Sequence, residues 1–265
     1  MAPPDTASKG LFEVEKFSFD FEDVKRNTAG ALLRSDGFSL DAGSIYSLIG
    51  ANMSGKSTLL KLITGRIGDR RHPIDVQLGR RIFTLPRDYY ALRVAGVRAS
   101  HQNDTLFPEL SILENILLGA DGRKSRSALT QSLKKEINTL INGVEKSEEF
   151  HPAWKIDPRE SLSTLSGGGR AIVRLLRTAL FGNSVLLLDE PTVHLDPQNR
   201  KLFFSILHRL SPRSGAIVLV SHGIEDHQMF RYIFNDRPYG GFSLEKGVIM
   251  GLPEDFVDSV CVPPS

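Results

Sequence analysis

Apolar and polar positions alternate near the start of the chain. Phe12 and Val14, then Phe17, Phe19 and Phe21, recur every second residue, as in antiparallel strands with one buried face. Phe38 and Leu40 continue this style up to a turn at Gly43. The pattern then changes. Ile45–Ile49 (IYSLI) is a short apolar run without alternation, the signature of a parallel strand covered on both faces. It ends at Gly50. After a glycine-bearing loop, Leu59, Leu60, Leu62 and Ile63 return at helical spacing. Val185–Leu188 and Ala216–Val220 read as further buried strands, and Val94–Ala99 as another. Between them, helical spacing recurs within 109–150, with a polar break at Gly119–Ser127, then from Arg170 to Phe181 and from about Asn199 to Leu210. Residues 66–81 hold Arg66, Arg70, Arg71, Arg80 and Arg81 and read as a solvated loop with strand ends; 151–164 read as irregular. Phe242–Leu244 and Val248–Met250 flank Glu245-Lys246-Gly247, a hairpin signal.

Short apolar strands alternating with helices predict an α/β fold with a mainly parallel core sheet. The N-terminal alternation adds an antiparallel β part, and the inserted helices a helical subdomain at about 103–180. The expected organisation is one domain over 11–255, between a flexible tail at 1–10 and a C-terminal tail at 256–265.

Composition narrows the classes. Of 265 residues, 40% are hydrophobic and 24% charged, which excludes disordered and collagen-like chains. Lys plus Arg is 33 against Asp plus Glu 31, a net charge of +2, so no dominant polyanion partner is expected. The arginines of 66–81 have no interleaved aromatics, which argues against nucleic acid. The single cysteine, Cys261, cannot form an internal disulfide. No apolar run approaches the ~18–20 residues that span a bilayer, and Met1–Gly10 has no apolar leader core. Any action on a membrane is expected to pass through a partner.

Two motifs carry chemistry. Gly50-Ala51-Asn52-Met53-Ser54-Gly55-Lys56-Ser57-Thr58 fits GxxxxGK[ST] in full. Glycines let backbone N–H groups converge on phosphate oxygens, and the following helix N-terminus adds its dipole. Lys56 neutralises β and γ charge, and Ser57 offers a hydroxyl to Mg²⁺. Met53, where small residues are common, suggests a tighter pocket. The second motif is Val185-Leu186-Leu187-Leu188-Asp189-Glu190, an apolar strand ending in two acids. At the C-terminal edge of a parallel sheet, Asp189 can hold Mg²⁺ through water and Glu190 can act as general base toward water.

With these in place, the chain resembles the ATP-binding cassette family of ATPases. Leu165-Ser166-Gly167-Gly168-Gly169-Arg170 is similar to that family's LSGGQ signature and precedes the acidic strand at the family's spacing. The resemblance covers about residues 12–250. It implies that Gln102 is the Q-loop glutamine, a metal and catalytic contact, that Asp196 in Pro191–Asp196 is the D-loop acid, and that His222 is the switch histidine. Phe21 is the best match for the aromatic that stacks on adenine, with Phe17 and Phe19 close competitors. His101, His194 and His227 read as structural or exposed. Two departures stand out: Gly169 replaces the signature's glutamine, predicting altered rate or coupling, and Gly223–Gly240 is less regular than the family pattern leads one to expect.

The resemblance implies a mechanism and partners. Two cassettes meet head to tail, as a homodimer or heterodimer, so that ATP and Mg²⁺ on one phosphate loop are covered by Ser166, Gly167 and Gly168 of the other. Separate transmembrane permease subunits would be the only membrane contact, and the chain would sit on the cytoplasmic face of the inner membrane. The run Gln102–Gly119, with Pro108-Glu109-Leu110, Glu114-Asn115-Ile116 and Leu118-Gly119, is similar to carbohydrate-importer ATPases, in which two cassettes are usually fused; here there is one. A soluble cassette ATPase acting on nucleic acid or ribosomes would favour paired cassettes or a long coiled-coil insertion, and neither is present. A GTPase would carry [NT]KxD, which is missing. A non-catalytic regulator fits poorly with Lys56, Asp189, Glu190 and His222 together.

Overall fold

The computed structural model describes residues 10–20, 32–101, 104–120, 157–182, 184–193, 195–211 and 215–252, with isolated positions 131, 135, 137 and 139. The alternating start forms two strands in different sheets. β1 (Phe12–Val14) pairs antiparallel with β4 (Phe38–Leu40), and β2 (Phe17–Asp20) with β3 (Leu32–Ser35). The core strands are β5 (Ile45–Ile49), β8 (Val97–Ser100), β9 (Val185–Asp189), β10 (Ala216–Val220) and β11 (Tyr239–Glu245). They pair in parallel in the order β11-β5-β10-β9-β8. β12 (Val248–Gly251) closes a hairpin on β11 and joins this sheet to β3 and β2.

Both faces of the parallel sheet are covered, which explains the runs without polar alternation. On β9, Leu186 and Leu188 face one core while Val185 and Leu187 face the other. The first core is completed by α3 (Ile112–Leu117), α4 (Gly167–Ala179), α5 (Pro197–Leu210) and α6 (Ile224–Ile233). The second is filled by α1 (Lys56–Ile63) and by a small sheet in which β4 and β1 are joined by β6 (Ile74–Leu78) and β7 (Arg81–Leu85), in the order β4-β1-β6-β7. The α/β architecture read from the sequence is therefore the one observed.

Several boundaries differ, for local reasons. Residues 66–81 are more ordered than expected: β6 (Ile74–Leu78) and β7 (Arg81–Leu85) form an antiparallel pair turning at Gly79, whose φ is 59°. Val94 ends a short helix, α2 (Tyr89–Val94), rather than starting a strand. α4 begins three residues earlier than expected, because Ser166 accepts from Gly169 N–H at 3.2 Å and caps it. Residues 223–240 are regular after all, since α6 and the start of β11 occupy them. Of the helices expected in 109–150, α3 is the one that the described residues span continuously, opened by a capping box of Ser111 and Glu114, and the isolated positions 131, 135, 137 and 139 are also helical. Residues 1–9, the whole C-terminal tail and all of 121–156 except the four isolated positions lie outside the described residues.

Candidate functional site

Strand order sets the site. β10 lies between β5 and β9, so three strand ends meet at one sheet edge: Gly50 after β5, Ser221-His222 after β10, and Asp189-Glu190 at the end of β9. Open parallel sheets bind ligands at this edge.

Gly50 has φ 155°, and a Cβ there would lie 2.5 Å from Leu244 O and 2.9 Å from Ser54 Oγ. Gly55, with φ 103°, directly precedes α1 and packs on Leu33. Both positions therefore require glycine. Lys56 is buried, and its Nζ donates to Gly50 O at 2.8 Å and Ala51 O at 2.9 Å. The ammonium thus sits on the loop's own carbonyls. Burial pushes its pKa below the ordinary 10.5, opposed by the nearby Glu190 and Asp189 charges. Met53 does not narrow the pocket as expected. It adopts a left-handed conformation, φ 63°, and its side chain is fully exposed.

Across the edge, Ser57 Oγ donates to Asp189 Oδ1 at 3.0 Å. Asp189 is 1% exposed, and its Oδ2 has no hydrogen-bond partner among the described residues; nor has the buried Ser54 Oγ. A hydroxyl and a carboxylate with a buried, unused oxygen form an oxygen donor set that suits Mg²⁺. The glycine cradle suits phosphate. Glu190 is held in a left-handed turn, φ 47°, with its N–H donating to Val220 O at 2.9 Å. His222 Nε2 lies 2.5 Å from Glu190 Oε1. The predicted base and the predicted switch histidine are therefore paired.

Ser166 and Gly167 are exposed at the N-terminus of α4, with nothing within 4 Å of a Cβ added at Gly167. Gly168 is buried there. At Gly169, where the family has glutamine, a Cβ would press on Leu165 at 3.1 Å. Asp196 caps α5, accepting from Asn199 N–H at 2.9 Å, and that bond draws its carboxyl below the usual range. Phe17 and Phe19 are buried in the core, so neither offers a free stacking face. Phe21, Gln102 and His194 lie outside the described residues.

Sequence reasoning missed several supporting groups. Asp226 Oδ2 accepts from Thr192 Oγ1 at 2.7 Å and from Ser221 Oγ at 2.5 Å, and Asp226 Oδ1 lies 3.0 Å from Arg200 Nε. This joins the loop after Glu190 to the loop bearing His222. His101 is buried, with Nδ1 3.9 Å from Asp189 Oδ2. An acid four residues after the histidine was visible in the sequence, but only the fold brings Thr192 and Arg200 to it.

A phosphate loop, a strand-end Asp-Glu pair and a histidine just after the strand between them define the P-loop nucleotide-binding class. Comparison with known proteins narrows this. A family model described as ABC transporter matches residues 33–193, more than half of the chain, and the chain belongs to that family. Curated relatives include the arabinose import ATP-binding protein AraG of Rhizobium etli, 30% identical over 78% of this chain and 39% of its own length. The ribose import ATP-binding protein RbsA of Lactococcus lactis is 26% identical over 74% of this chain and 38% of its own. The galactofuranose transporter ATP-binding protein YtfR of Escherichia coli is 29% identical over 71% and 35%. The chain thus spans under two fifths of these relatives. A solved chain from an ABC transporter in an inward-facing conformation shares the fold, with TM-score 0.65, 18% identity, and coverage of 93% of this chain and 84% of that one.

Proposed function

We propose that the protein binds and hydrolyses ATP to power solute uptake, with a sugar as the cargo class, through separate transmembrane subunits. The observation that carries the ATPase reading is the Glu190–His222 pair at 2.5 Å, set beside Lys56 and the Ser57–Asp189 pair. The names of the sugar-import relatives support the cargo.

Lys56 exchanges the carbonyls of Gly50 and Ala51 for the β- and γ-phosphate oxygens of ATP, so binding costs little new ordering of that side chain. Backbone N–H groups of the Gly50–Thr58 loop and the α1 N-terminus hold the remaining phosphate charge. Ser57 and, through water, Asp189 would hold Mg²⁺, with Gln102 a further ligand; the ion would offset charge on the phosphate oxygens. Glu190 accepts a proton from the attacking water, and His222 fixes its carboxylate. Ser166, Gly167 and Gly168 present an open helix N-terminus to the γ-phosphate on a second cassette, which completes the site.

Among the described residues no helix is long and apolar enough to cross a membrane. A cavity of about 330 Å³, bordered by His101 and Asp104 and lined by Arg66, Arg98, Phe107 and Arg177, is the proposed seat of a permease segment. Peripheral attachment at the inner face of the membrane follows from that contact. Glu190→Gln tests the reading. ATP should bind with unchanged affinity, turnover should fall at least about a hundredfold, and ATP should drive the variant into a stable dimer. Undiminished turnover would remove Glu190 as the base.

A further inference from the structure

The reading above uses His222 alone among the histidines near this edge. His227 on α6 is 1% exposed and engaged at both ring nitrogens. Nδ1 lies 2.7 Å from Ser47 Oγ, and Nε2 lies 3.2 Å from Ser221 O. The Tyr239 hydroxyl donates to the same Ser47 Oγ at 2.7 Å. One placement of protons satisfies all three bonds: Tyr239 O–H to Ser47, Ser47 O–H to Nδ1, and Nε2–H to the Ser221 carbonyl. The ring is then neutral. Burial pushes its pKa below the ordinary 6.5, in keeping with that form.

The two ends of this chain of bonds matter. Ser47 lies on β5, three residues before Gly50. Ser221 directly precedes His222. Its hydroxyl is held by Asp226 Oδ2 at 2.5 Å while its carbonyl is held by His227. The Ser221 carbonyl and the His222 N–H share one planar peptide unit. Fixing that carbonyl therefore fixes the peptide plane and the N–Cα bond from which the His222 side chain departs to meet Glu190.

We infer that His227 is a positioning residue for hydrolysis, tying the strand that leads into the phosphate loop to the peptide that carries His222. This rests on the reading of Glu190 and His222 as the hydrolytic pair. A side chain that only filled space here would do so with less desolvation as an aliphatic group, and would leave the Ser221 carbonyl without its donor.

Two substitutions separate the arms. Gln at 227 places an amide nitrogen near the Nε2 position and keeps the donor to Ser221; Asn is shorter and reaches only Ser47. His227→Asn should lower kcat about tenfold, with KM for ATP within about twofold. His227→Gln should restore kcat to within about threefold of the parent, at a melting temperature no higher than that of His227→Asn. Imidazole ¹⁵N resonances of the parent should report the Nε2–H tautomer. Parent-like kcat in His227→Asn, with His222→Ala inactive, would overturn this inference and leave the hydrolytic reading standing. So would equal kcat losses in both His227 variants that follow their melting temperatures. Full turnover in His222→Ala would overturn the hydrolytic reading itself, and this inference with it.

Discussion

Ser57 Oγ donates to Asp189 Oδ1 across 3.0 Å, joining the start of α1 to the end of β9. These two groups come from motifs 132 residues apart and share no local structure. Their contact exists because β10 intervenes between β5 and β9 and aligns all three strand ends. The pair is the proposed Mg²⁺ seat, and Ser57→Ala should raise the Mg²⁺ concentration for half-maximal ATPase about tenfold. Titrating MgCl₂ at saturating ATP measures this. An unchanged midpoint would remove Ser57 from the seat.

Lys56 bridges the carbonyls of Gly50 and Ala51 while buried. Burial disfavours its charge, so its removal relieves a cost as well as breaking two bonds. Lys56→Ala should weaken ATP binding at least about tenfold, since a hydrogen-bonded charge contact is lost. The nucleotide-free melting temperature should move by less than about 4 °C. Calorimetric titration and thermal melts check the two halves.

Met53 occupies a left-handed backbone conformation with its side chain in solvent. It makes no packing contribution there that glycine would forfeit. Met53→Gly should stabilise the protein by about 1 kcal/mol, through relief of the left-handed penalty, with ATP affinity retained. Chemical denaturation with urea reads the change.

His227 contributes a pH dependence of stability. Burial depresses its pKa in the folded state, while Asp226 and the Ser221 carbonyl oppose this and Lys56 reinforces it. Below about pH 6.5 the unfolded chain takes up a proton that the folded ring resists. The unfolded state then binds more protons, so the contribution is fully present above about pH 6.5 and is lost as pH drops from there toward the folded value. His227→Gln should flatten the unfolding free energy between about pH 5 and 6.5 relative to the parent.

The sequence exposes those parts of the molecule whose chemistry is local. The run Ile45–Ile49 followed by Gly50–Thr58 already specifies strand, cradle and helix, because glycine at positions 50 and 55 and lysine at 56 act within one turn of chain. Asp189 and Glu190 are legible for the same reason. Partnerships across the sheet are not. Nothing local predicts that Asp226 accepts from Thr192 and Ser221 together, or that His227 meets Ser47. The hairpin β6–β7 was hidden because its outward residues, Gln77 and the exposed Ile82 among them, blur the alternation that Val76 and Phe83 carry on the inner face. The outward direction of Met53 is not legible, because it depends on a positive φ that residue type does not announce.

In the proposed dimer, each nucleotide site takes its phosphate loop from one copy and its signature from another. Lys56→Ala disables the first contribution. Gly167→Asp places an acid toward the γ-phosphate of the neighbour, at a position where an added side chain meets nothing of its own fold. Each variant alone should be inactive. In a two-fold dimer of mixed chains, the site combining the intact loop of one with the intact signature of the other is restored. An equimolar mixture should therefore recover about a quarter of the parent ATPase rate, from half the dimers with one working site in two. A mixture as inactive as its components, under conditions where the parent alone turns over ATP, would contradict a shared site.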